Sequence, residues 1–307
     1  MTSPPDPPLA AKVSDSGAAK ADRAGVANPG IIVGDVRSEY HEHHHHHPVE
    51  VKWPVQVGQP PALASAFQPR EDVRAKIQDA RDRGADVVLT QHEARGARVL
   101  AGQGGVGKSQ LAAWFAHQSR EERTADLVAW VPAGSPEQII SGYARAARRV
   151  GAPGADGTDQ VADAKAFCEW LHTTERTWLI VLDDITDPAH MSGWWPPHRP
   201  TGWTLATTRR RDAALASSGR KMIDIGVYSP EESRAYLTAR LTEAGCPELF
   251  DAGASDLAAA VGQLPLALSH ATAYMIDQAV GCTEYLARYT AAGSVAAVIS
   301  FAAAGYA

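Results

Sequence analysis

The sequence predicts an α/β fold in which a parallel sheet carries helices on both faces and is followed by a small all-helical domain. Short, wholly apolar stretches alternate with amphipathic helical stretches up to about residue 226, a pattern typical of buried parallel strands joined by helices. Beyond that residue only helical patterns occur. We therefore expect a low-complexity segment at 1–62, an α/β domain at 63–226 and a helical domain at 227–307.

Composition and charge narrow the class of protein. The chain has 307 residues, 45% of them hydrophobic, and its 29 basic and 35 acidic side chains give a net charge of −6. That charge argues against broad binding to nucleic acid or to an anionic membrane. No stretch approaches the roughly 20 apolar residues of a membrane span, and the three scattered cysteines, Cys168, Cys246 and Cys282, predict reduced thiols. We expect a cytoplasmic protein.

The first part of the chain has low complexity. Residues 1–30 are rich in Pro, Ala, Ser and Asp, and such a composition buries too little apolar surface to order a segment. A histidine run follows, at His41 and His43 to His47. It has three interpretations: a metal site, solvated low-complexity sequence or a purification tag. Low-complexity sequence is the commoner fate of a flexible run, and the internal position disfavours a tag.

Caps and apolar periodicity predict the individual elements. A first helix at 71–83 has Val73, Ile77 and Ala80 on one face and stops at Gly84. Strands are predicted at 31–36, 49–57, 97–101, 127–131, 178–182 and 203–207. Further helices of the α/β domain are predicted at 108–118, 135–151 and 164–171. Helices of the helical domain are predicted at 229–241, 256–261, 265–278 and 284–292. Capping boxes are predicted for Ser135 with Gln138 and for Ser229 with Glu232.

A glycine-rich stretch lies between the strand at 97–101 and the helix at 108–118. Residues 102–109, GQGGVGKS, have the G-x-x-x-x-G-K-[ST] spacing of a phosphate-binding loop. Its glycines let backbone N–H groups turn toward phosphates, and the following helix directs its positive end at them. Lys108 would neutralise the outer phosphates, and Ser109 would offer its hydroxyl to Mg²⁺. A glycine-rich turn without a ligand is the alternative, which the Lys-Ser pair disfavours.

Two acidic residues follow the apolar strand in WLIVLDDITD. Ligands of open α/β sheets collect at the carboxyl ends of the strands. We therefore expect Asp183 to hold Mg²⁺ through water and Asp184 to polarise an attacking water. Paired aspartates can also form turns or cap helices, but the upstream phosphate loop favours the metal interpretation.

A third stretch, TLATTRR, ends the strand at 203–207 in Arg209. From an adjacent parallel strand Arg209 could reach the terminal phosphate of a triphosphate. Arg210 and Arg211 are expected to be solvated. The candidate catalytic residues are therefore Lys108, Asp183, Asp184 and Arg209.

Four ordered motifs, AGQGGVGKSQLA, LIVLDDI, TLATTRR and GQLPLAL, resemble the NB-ARC subgroup of the STAND class of P-loop NTPases. FQPRED resembles that family's N-terminal segment, and the resemblance covers roughly residues 63–290. It is greatest to bacterial members that continue into tetratricopeptide repeats. It implies bound ADP or ATP with Mg²⁺ on Ser109 and Asp183, and a phosphate-sensing Arg209. The nucleotide contacts that it implies are Arg70, Gly102, Gln103, Gly104, Gly105, Val106, Gly107, Lys108, Ser109, Gln110 and Pro265.

The family normally continues into a winged-helix domain and a repeat sensor, and neither pattern occurs before Ala307. We therefore expect a C-terminally truncated member with an incomplete helical domain. The resemblance implies a signalling switch in which ATP drives oligomerisation and slow hydrolysis resets the resting state. Its expected partners are further copies of the chain and a protein effector or sensor, with no membrane and no direct nucleic-acid binding.

An ATPase with steady turnover, acting on a protein client like an AAA-type remodeller, is the alternative. Such an enzyme would require a glutamate as the water-activating base, and Asp184 at that position favours slow turnover. A DNA-binding regulator has no support from a recognition helix or a basic face.

Overall fold

The computed structural model describes residues 51–91 and 105–291. Several sequence predictions lie outside these residues: the first 50 residues of the low-complexity segment predicted at 1–62, the histidine run, the strands at 31–36 and 97–101, and Gly102, Gln103 and Gly104. The structure does describe residues 51–62 of that segment, and Val55 and Val57 among them are buried. All described residues belong to one compact unit.

A six-stranded sheet forms the centre of the described residues, and every strand pair in it is parallel. Its strands are β1 Val55–Val57, β2 Asp86–Gln91, β3 Leu127–Pro132, β4 Trp178–Ile185, β5 Gly202–Thr208 and β6 Arg220–Ile225. They lie in the order β1-β3-β4-β5-β2-β6. The carboxyl ends of β2, β4 and β5 therefore meet at one edge of the sheet.

Helices cover both faces of the sheet, as predicted. They are α1 Glu71–Asp82, α2 Lys108–Glu121, α3 Pro136–Val150 and α4 Gln160–Thr173. Alternate residues of β4 enter different cores: Leu179 and Val181 pack on the side of α1 and α2, whereas Ile180 and Leu182 pack on the side of α3 and α4. This alternation is the period of two that an extended strand imposes on its side chains. It explains why the strand is apolar throughout.

The strand β2 was missed in the sequence. Asp86–Gln91 follows the Gly84 helix stop almost directly and ends in polar residues, so it does not stand out as an apolar run. In the structure it lies between β5 and β6, and Val87, Val88 and Leu89 are fully buried. The strand β6 was also missed, because its charged side chains lie at a sheet edge.

Within the described residues, the helical region follows β6 and contains four α-helices and one short 3-10 helix at Pro247–Leu249. The α-helices are α5 Pro230–Glu243, α6 Ala254–Ala260, α7 Pro265–Gln278 and α8 Cys282–Ala291. Leu237, Leu257 and Leu268 belong to the same hydrophobic core as Leu205 and Ile223 of the sheet. The predicted boundary at 226 falls in the connection between β6 and α5, and a division into separate domains there stays a prediction.

The two predicted capping boxes differ in the structure. At α5 the Ser229 hydroxyl accepts from the Glu232 N–H, and the Glu232 carboxylate accepts from the Ser229 N–H. At α3 the Ser135 hydroxyl accepts from the Gln138 N–H, but the Gln138 side chain accepts from Gly134 instead of Ser135. The prediction of a complete box at Ser135 was therefore wrong. Of the helices that the structure describes, none is long and apolar enough to cross a membrane.

Candidate nucleotide site at the carboxyl edge of the sheet

The end of the glycine-rich loop leads directly into α2. Gly105 and Gly107 have φ values of 92° and 91°, a left-handed conformation that glycine adopts without the strain imposed by a Cβ atom. Gly107 caps α2 with its backbone, and its carbonyl accepts from the Leu111 N–H at 2.8 Å. The first N–H groups of a helix have no partner within the helix, so this end suits an anion.

Lys108 is the first residue of α2 and is 8% exposed. Its Nζ donates to Oε1 of Gln91, at the end of β2, over 3.2 Å. Burial lowers the Lys108 pKa, and the positive charge of Arg209 lowers it further, whereas Asp184 and Asp183 raise it. A partly desolvated cation of this kind gains interaction energy when a phosphate enters the site.

The side chains of Ser109 and Asp183, the two predicted metal ligands, are in direct contact. The Ser109 hydroxyl donates to Oδ1 of Asp183 over 2.7 Å, and the Thr207 hydroxyl donates to the same oxygen over 2.7 Å. The three residues come from α2, β4 and β5. A hydroxyl beside a carboxylate is a hard-oxygen donor set, and Mg²⁺ in phosphate sites uses one or two such ligands together with phosphate oxygens. These residues therefore fit Mg²⁺.

A β-bulge positions the two aspartates. Leu182 pairs with Ala206 and Ile185 with Thr208, so Asp183 and Asp184 together lie opposite Thr207. Asp184 has a φ of 58°, and its N–H donates to the Thr207 hydroxyl over 2.8 Å. Bulges of this kind change the direction of side chains at the ends of strands. Here the bulge separates the directions of two adjacent carboxylates.

The other carboxylate of the pair faces Arg209. The Arg209 Nε lies 3.3 Å from Oδ1 of Asp184, and the two side chains are 59% and 47% exposed. Water polarisation by Asp184 and phosphate sensing by Arg209 stay predictions. Arg210 and Arg211 form exposed ion pairs with Asp187 and Asp224, in line with the expected solvated positions.

Arg70 lies at the start of α1 and is 8% exposed. Its Nη1 donates to the carbonyl oxygens of Val106 and Gly226, over 3.2 Å and 3.0 Å, and its Nη2 donates to that of Val227 over 3.0 Å. Its Nε lies 3.7 Å from Glu232. The guanidinium therefore contacts the phosphate loop and the start of the helical region, and its predicted contact with nucleotide is untested.

Pro265 begins α7, and the next residue contacts the phosphate loop. The Leu266 N–H donates to the Gly105 carbonyl over 3.2 Å. A Cβ atom on Gly105 would lie 2.9 Å from the Leu266 Cβ. The structure therefore brings the GQLPLAL motif to the loop, while a nucleotide contact from Pro265 stays a prediction.

Gln110 uses its side chain away from the phosphates. Its Oε1 accepts from the Ala64 N–H over 2.7 Å, and its Nε2 donates to the Ala62 carbonyl over 3.2 Å. A phosphate contact from Gln110 would therefore involve its backbone.

The model of the NB-ARC domain family matches residues 83–244, just over half of the chain. The chain belongs to the NB-ARC family. The match runs from the end of α1 to α5, so it includes Lys108, Ser109, Asp183 and Arg209. Arg70 and Pro265 lie outside it.

Curated relatives of this NB-ARC chain are much longer proteins. A nucleotide-binding leucine-rich repeat (NLR)-like protein of the fungus Hyaloscypha variabilis is 25% identical over 207 residues, which are 62% of this chain and 21% of the relative. The regulatory protein AfsR of Streptomyces griseus is 31% identical over 191 residues, which are 60% of this chain and 19% of AfsR. The chain thus spans about a fifth of the length of these relatives.

Solved structures with the same fold include Cdc6p from Pyrobaculum aerophilum. It has a TM-score of 0.50 at 12% identity, with 72% of this chain and 64% of Cdc6p covered. A STAND protein with a tetratricopeptide repeat sensor from Pyrococcus horikoshii has a TM-score of 0.46 at 17% identity, with 72% of this chain and 31% of that chain covered. The likeness to Cdc6p supports the P-loop NTPase fold of the NB-ARC chain.

Sequence reasoning missed several residues of the NB-ARC site. Gln91 holds Lys108, and Thr207 orients both aspartates. The doublet at Thr207 and Thr208, at the end of a buried strand, was the available signal for the second. Glu232 was noted only as a cap, although it also faces Arg70.

Proposed function

We propose that this NB-ARC chain is a nucleotide-dependent signalling switch that binds ADP and ATP with Mg²⁺. In this proposal ADP keeps the helical region against the phosphate loop, and ATP favours an oligomerising state that slow hydrolysis resets. The observation that supports it best is the direct bond between the loop and α7, from the Leu266 N–H to the Gly105 carbonyl. A loop that binds phosphates on one side and a helix on the other can couple the two.

Different residues of the site would bind the phosphates and the Mg²⁺ ion. The Lys108 ammonium would bind the outer phosphates, either in place of its hydrogen bond to Gln91 or in addition to it. Ser109 and Asp183 would hold Mg²⁺, and Thr207 keeps the Asp183 carboxylate in place through its hydroxyl. When bound, Mg²⁺ would neutralise charge on the phosphate oxygens.

The ion pair between Arg209 and Asp184 offers a means of telling ATP from ADP. Both side chains are about half exposed, so their mutual attraction is modest and can be exchanged for another partner. A terminal phosphate would compete with Asp184 for Arg209. Only a ligand with different contacts in two states can shift the balance between them, and the terminal phosphate would supply that difference.

The side-chain length of Asp184 supports slow hydrolysis. The Asp184 carboxylate is the candidate water-polarising group, and it reaches less far than the carboxylate of a glutamate at the same position would. A steady ATPase acting on a protein client would need a base that reaches the attacking water. The proposed location is the cytoplasm, and the proposed partners are further copies of the chain and a protein effector or sensor.

The test begins with nucleotide content and turnover. The purified chain is denatured, the released nucleotide is identified, and steady-state hydrolysis and oligomeric mass are measured with ADP and with a non-hydrolysable ATP analogue. We expect retained ADP, turnover well below about one per second, the low end for enzymes, and a larger mass with the analogue. Rapid steady turnover without a change of mass would instead support the client-directed ATPase.

Two variants make the result specific. Lys108→Ala is expected to abolish nucleotide retention under either function. Arg209→Lys keeps the charge but loses the planar fork, and we expect it to reduce the difference in affinity between ATP and ADP. An unchanged difference would exclude Arg209 as the phosphate sensor.

A further inference from the structure

We propose that Arg70 is a positioning residue that links the phosphate loop to the start of the helical region, so that occupancy of the loop changes the order of that region. The connector is defined here as residues 226–229, between β6 and α5. The inference rests on the proposed function in one respect, namely that the loop binds nucleotide phosphates.

One guanidinium bridges three parts of the chain. Arg70 donates from Nη1 to the Val106 carbonyl in the loop at 3.2 Å, and from Nη1 and Nη2 to the carbonyls of Gly226 and Val227 in the connector, both at 3.0 Å. The Val106 bond spans 36 residues, and the connector bonds span 156 and 157. The Arg70 side chain therefore joins segments that are remote in sequence.

The Val106 carbonyl that Arg70 binds has few alternative donors. In a phosphate-binding loop the N–H groups face the phosphates, so the carbonyls face outward and must find other donors. Val106 is 2% exposed, and Arg70 is 8% exposed. The planar fork of arginine can serve several carbonyls at once, which the ammonium of lysine cannot do in the same geometry.

The backbone conformation of Arg70 is unfavourable by itself and is held by the contacts around the residue. Arg70 has φ 54° and ψ 63°, the left-handed region, which is unfavourable for residues other than glycine. Such a conformation persists where the surrounding structure determines it. Here the surroundings are the carbonyls, Glu232 at 3.7 Å, and the Tyr228 ring, whose centroid is 5.5 Å from the guanidinium carbon.

Glu232 extends the link into α5. One of its carboxylate oxygens accepts from the Ser229 N–H in the capping box over 2.8 Å, and the other faces Arg70. The helix cap and the loop anchor therefore share one side chain. A shift of Arg70 would loosen the first turn of α5.

A second set of hydrogen bonds also connects the loop to the connector. The Tyr228 N–H donates to the Gln263 carbonyl over 3.0 Å, and three residues further on the Leu266 N–H donates to the Gly105 carbonyl over 3.2 Å. Gly105 and Val106 are thus both tied, through their outward carbonyls, to groups that hold the connector. Occupancy of the inner side of the loop would stabilise both ties.

The decisive measurement is hydrogen exchange of the full chain, with and without saturating ADP, in wild type and in Arg70→Lys. In wild type we expect ADP to slow exchange in the first turn of α2 and also in the connector and the first turn of α5. In Arg70→Lys, at ADP concentrations raised to keep the site saturated, the α2 amides should still be protected. The connector and α5 amides should lose most of their response.

Dissociation constants for ADP and for inorganic pyrophosphate separate this role from contact with the base. Because Arg70 acts through the loop, Arg70→Lys should weaken both ligands by a similar factor, about tenfold for the loss of charged hydrogen bonds. Weaker ADP binding with unchanged pyrophosphate binding would place Arg70 on the base or ribose and overturn the inference. Unchanged connector exchange in the variant would also overturn it.

Arg74→Lys is the matched control. Arg74 lies one turn further along α1, pairs with Glu71 and stacks on Trp114, and within the described residues no hydrogen bond or ion pair joins its side chain to the loop or the connector. It should leave both dissociation constants within about twofold. Glu232→Gln keeps an oxygen for the Ser229 cap but loses the charge facing Arg70, and it should reduce the α5 response without weakening pyrophosphate.

The outcomes separate this inference from the switch. If wild type retains ADP and changes mass with the ATP analogue while Arg70→Lys keeps the connector response, only the link through Arg70 is refuted. If wild type hydrolyses ATP rapidly while Arg70→Lys loses the connector response as expected, only the switch is refuted.

Discussion

The Lys108 side chain lies in a poorly solvated position for a charged group. The side chain is 8% exposed, and its ammonium donates to Gln91. Nearby Arg209 adds to the unfavourable environment, while Asp183 and Asp184 relieve it in part. A site that binds phosphate gains from this arrangement, because the ligand supplies the missing charge. The folded chain without ligand is correspondingly less stable.

Replacing that charge should separate stability from function. We expect Lys108→Met to abolish nucleotide binding and to leave the ligand-free chain as stable as wild type or more stable, by about 1 kcal/mol, because a buried charge is removed. Chemical denaturation at pH 7 with nucleotide stripped measures the free energy of unfolding. A variant that is much less stable than wild type would contradict this account.

The difference in stability between wild type and Lys108→Met should also depend on pH. The Lys108 pKa is lowered in the folded chain from its ordinary value of 10.5, so between the lowered pKa and 10.5 the unfolded chain binds more protons. The stability of wild type relative to Lys108→Met should therefore rise with pH across that window. Lys76→Met, at a position 62% exposed on α1, is the control and should differ from wild type by less than about 0.5 kcal/mol.

Among the elements, α5 and α3 begin with the same pattern of serine, proline and a third-position acceptor but are capped differently. The α5 box is reciprocal, with bonds of 3.1 Å and 2.8 Å between Ser229 and Glu232. At α3 the Ser135 hydroxyl accepts over a longer 3.4 Å, and Gln138 turns to Gly134. The start of α5 is the better specified of the two.

Alanine substitutions at the two caps should reflect this difference. We expect Ser229→Ala to reduce the free energy of unfolding by about 1 to 1.5 kcal/mol and Ser135→Ala by about 0.5 kcal/mol, within the usual range for helix N-caps. Urea unfolding followed by circular dichroism gives both values. Equal losses would mean that the shorter hydroxyl bond at Ser229 stabilises its helix no more than the longer one at Ser135 does.

At the scale of the whole molecule, the sheet and the helical region share one hydrophobic core, and the helical region also contacts the phosphate loop. Leu205 of the sheet and Leu268 of α7 belong to the same cluster of buried residues. The second meeting point is the contact between Gly105 and Leu266. We therefore expect ligand binding in the loop and packing of the helices to depend on each other.

Two glycine substitutions in the loop test this dependence. Gly105 and Gly107 have φ values of 92° and 91°, so alanine strains both, but only at Gly105 would a Cβ meet Leu266, at 2.9 Å. We expect both variants to weaken nucleotide binding, and Gly105→Ala to cost about 1 to 2 kcal/mol more stability, because overpacking adds to strain. Hydrogen exchange of α7 should rise in Gly105→Ala only. A rise in both would show that loop strain alone loosens the helix.

Much of this molecule can be predicted from short stretches of its chain. The glycine and lysine spacing before α2, the apolar run ending in Asp183, and the Ser229 and Gly151 helix ends all depend on residues within a few positions of one another. Such local signals act through backbone geometry and helix capping. For that reason the α/β order, most helix limits and the NB-ARC resemblance were accessible from the residues.

Contacts between side chains that are distant in sequence depend instead on the order of the strands in the sheet. Gln91 reaches Lys108 across 17 residues, Thr207 reaches Asp183 across 24, and Arg70 reaches Gly226 across 156. The contact of Thr207 with Asp183 exists because β5 lies beside β4, and that of Gln91 with Lys108 exists because the end of β2 lies beside the start of α2. No local pattern encodes that adjacency, since burial of a whole sheet between two layers of helices selects it. The residues alone thus predict a phosphate site, and the packed sheet determines which side chains hold it and connect it to the helical region.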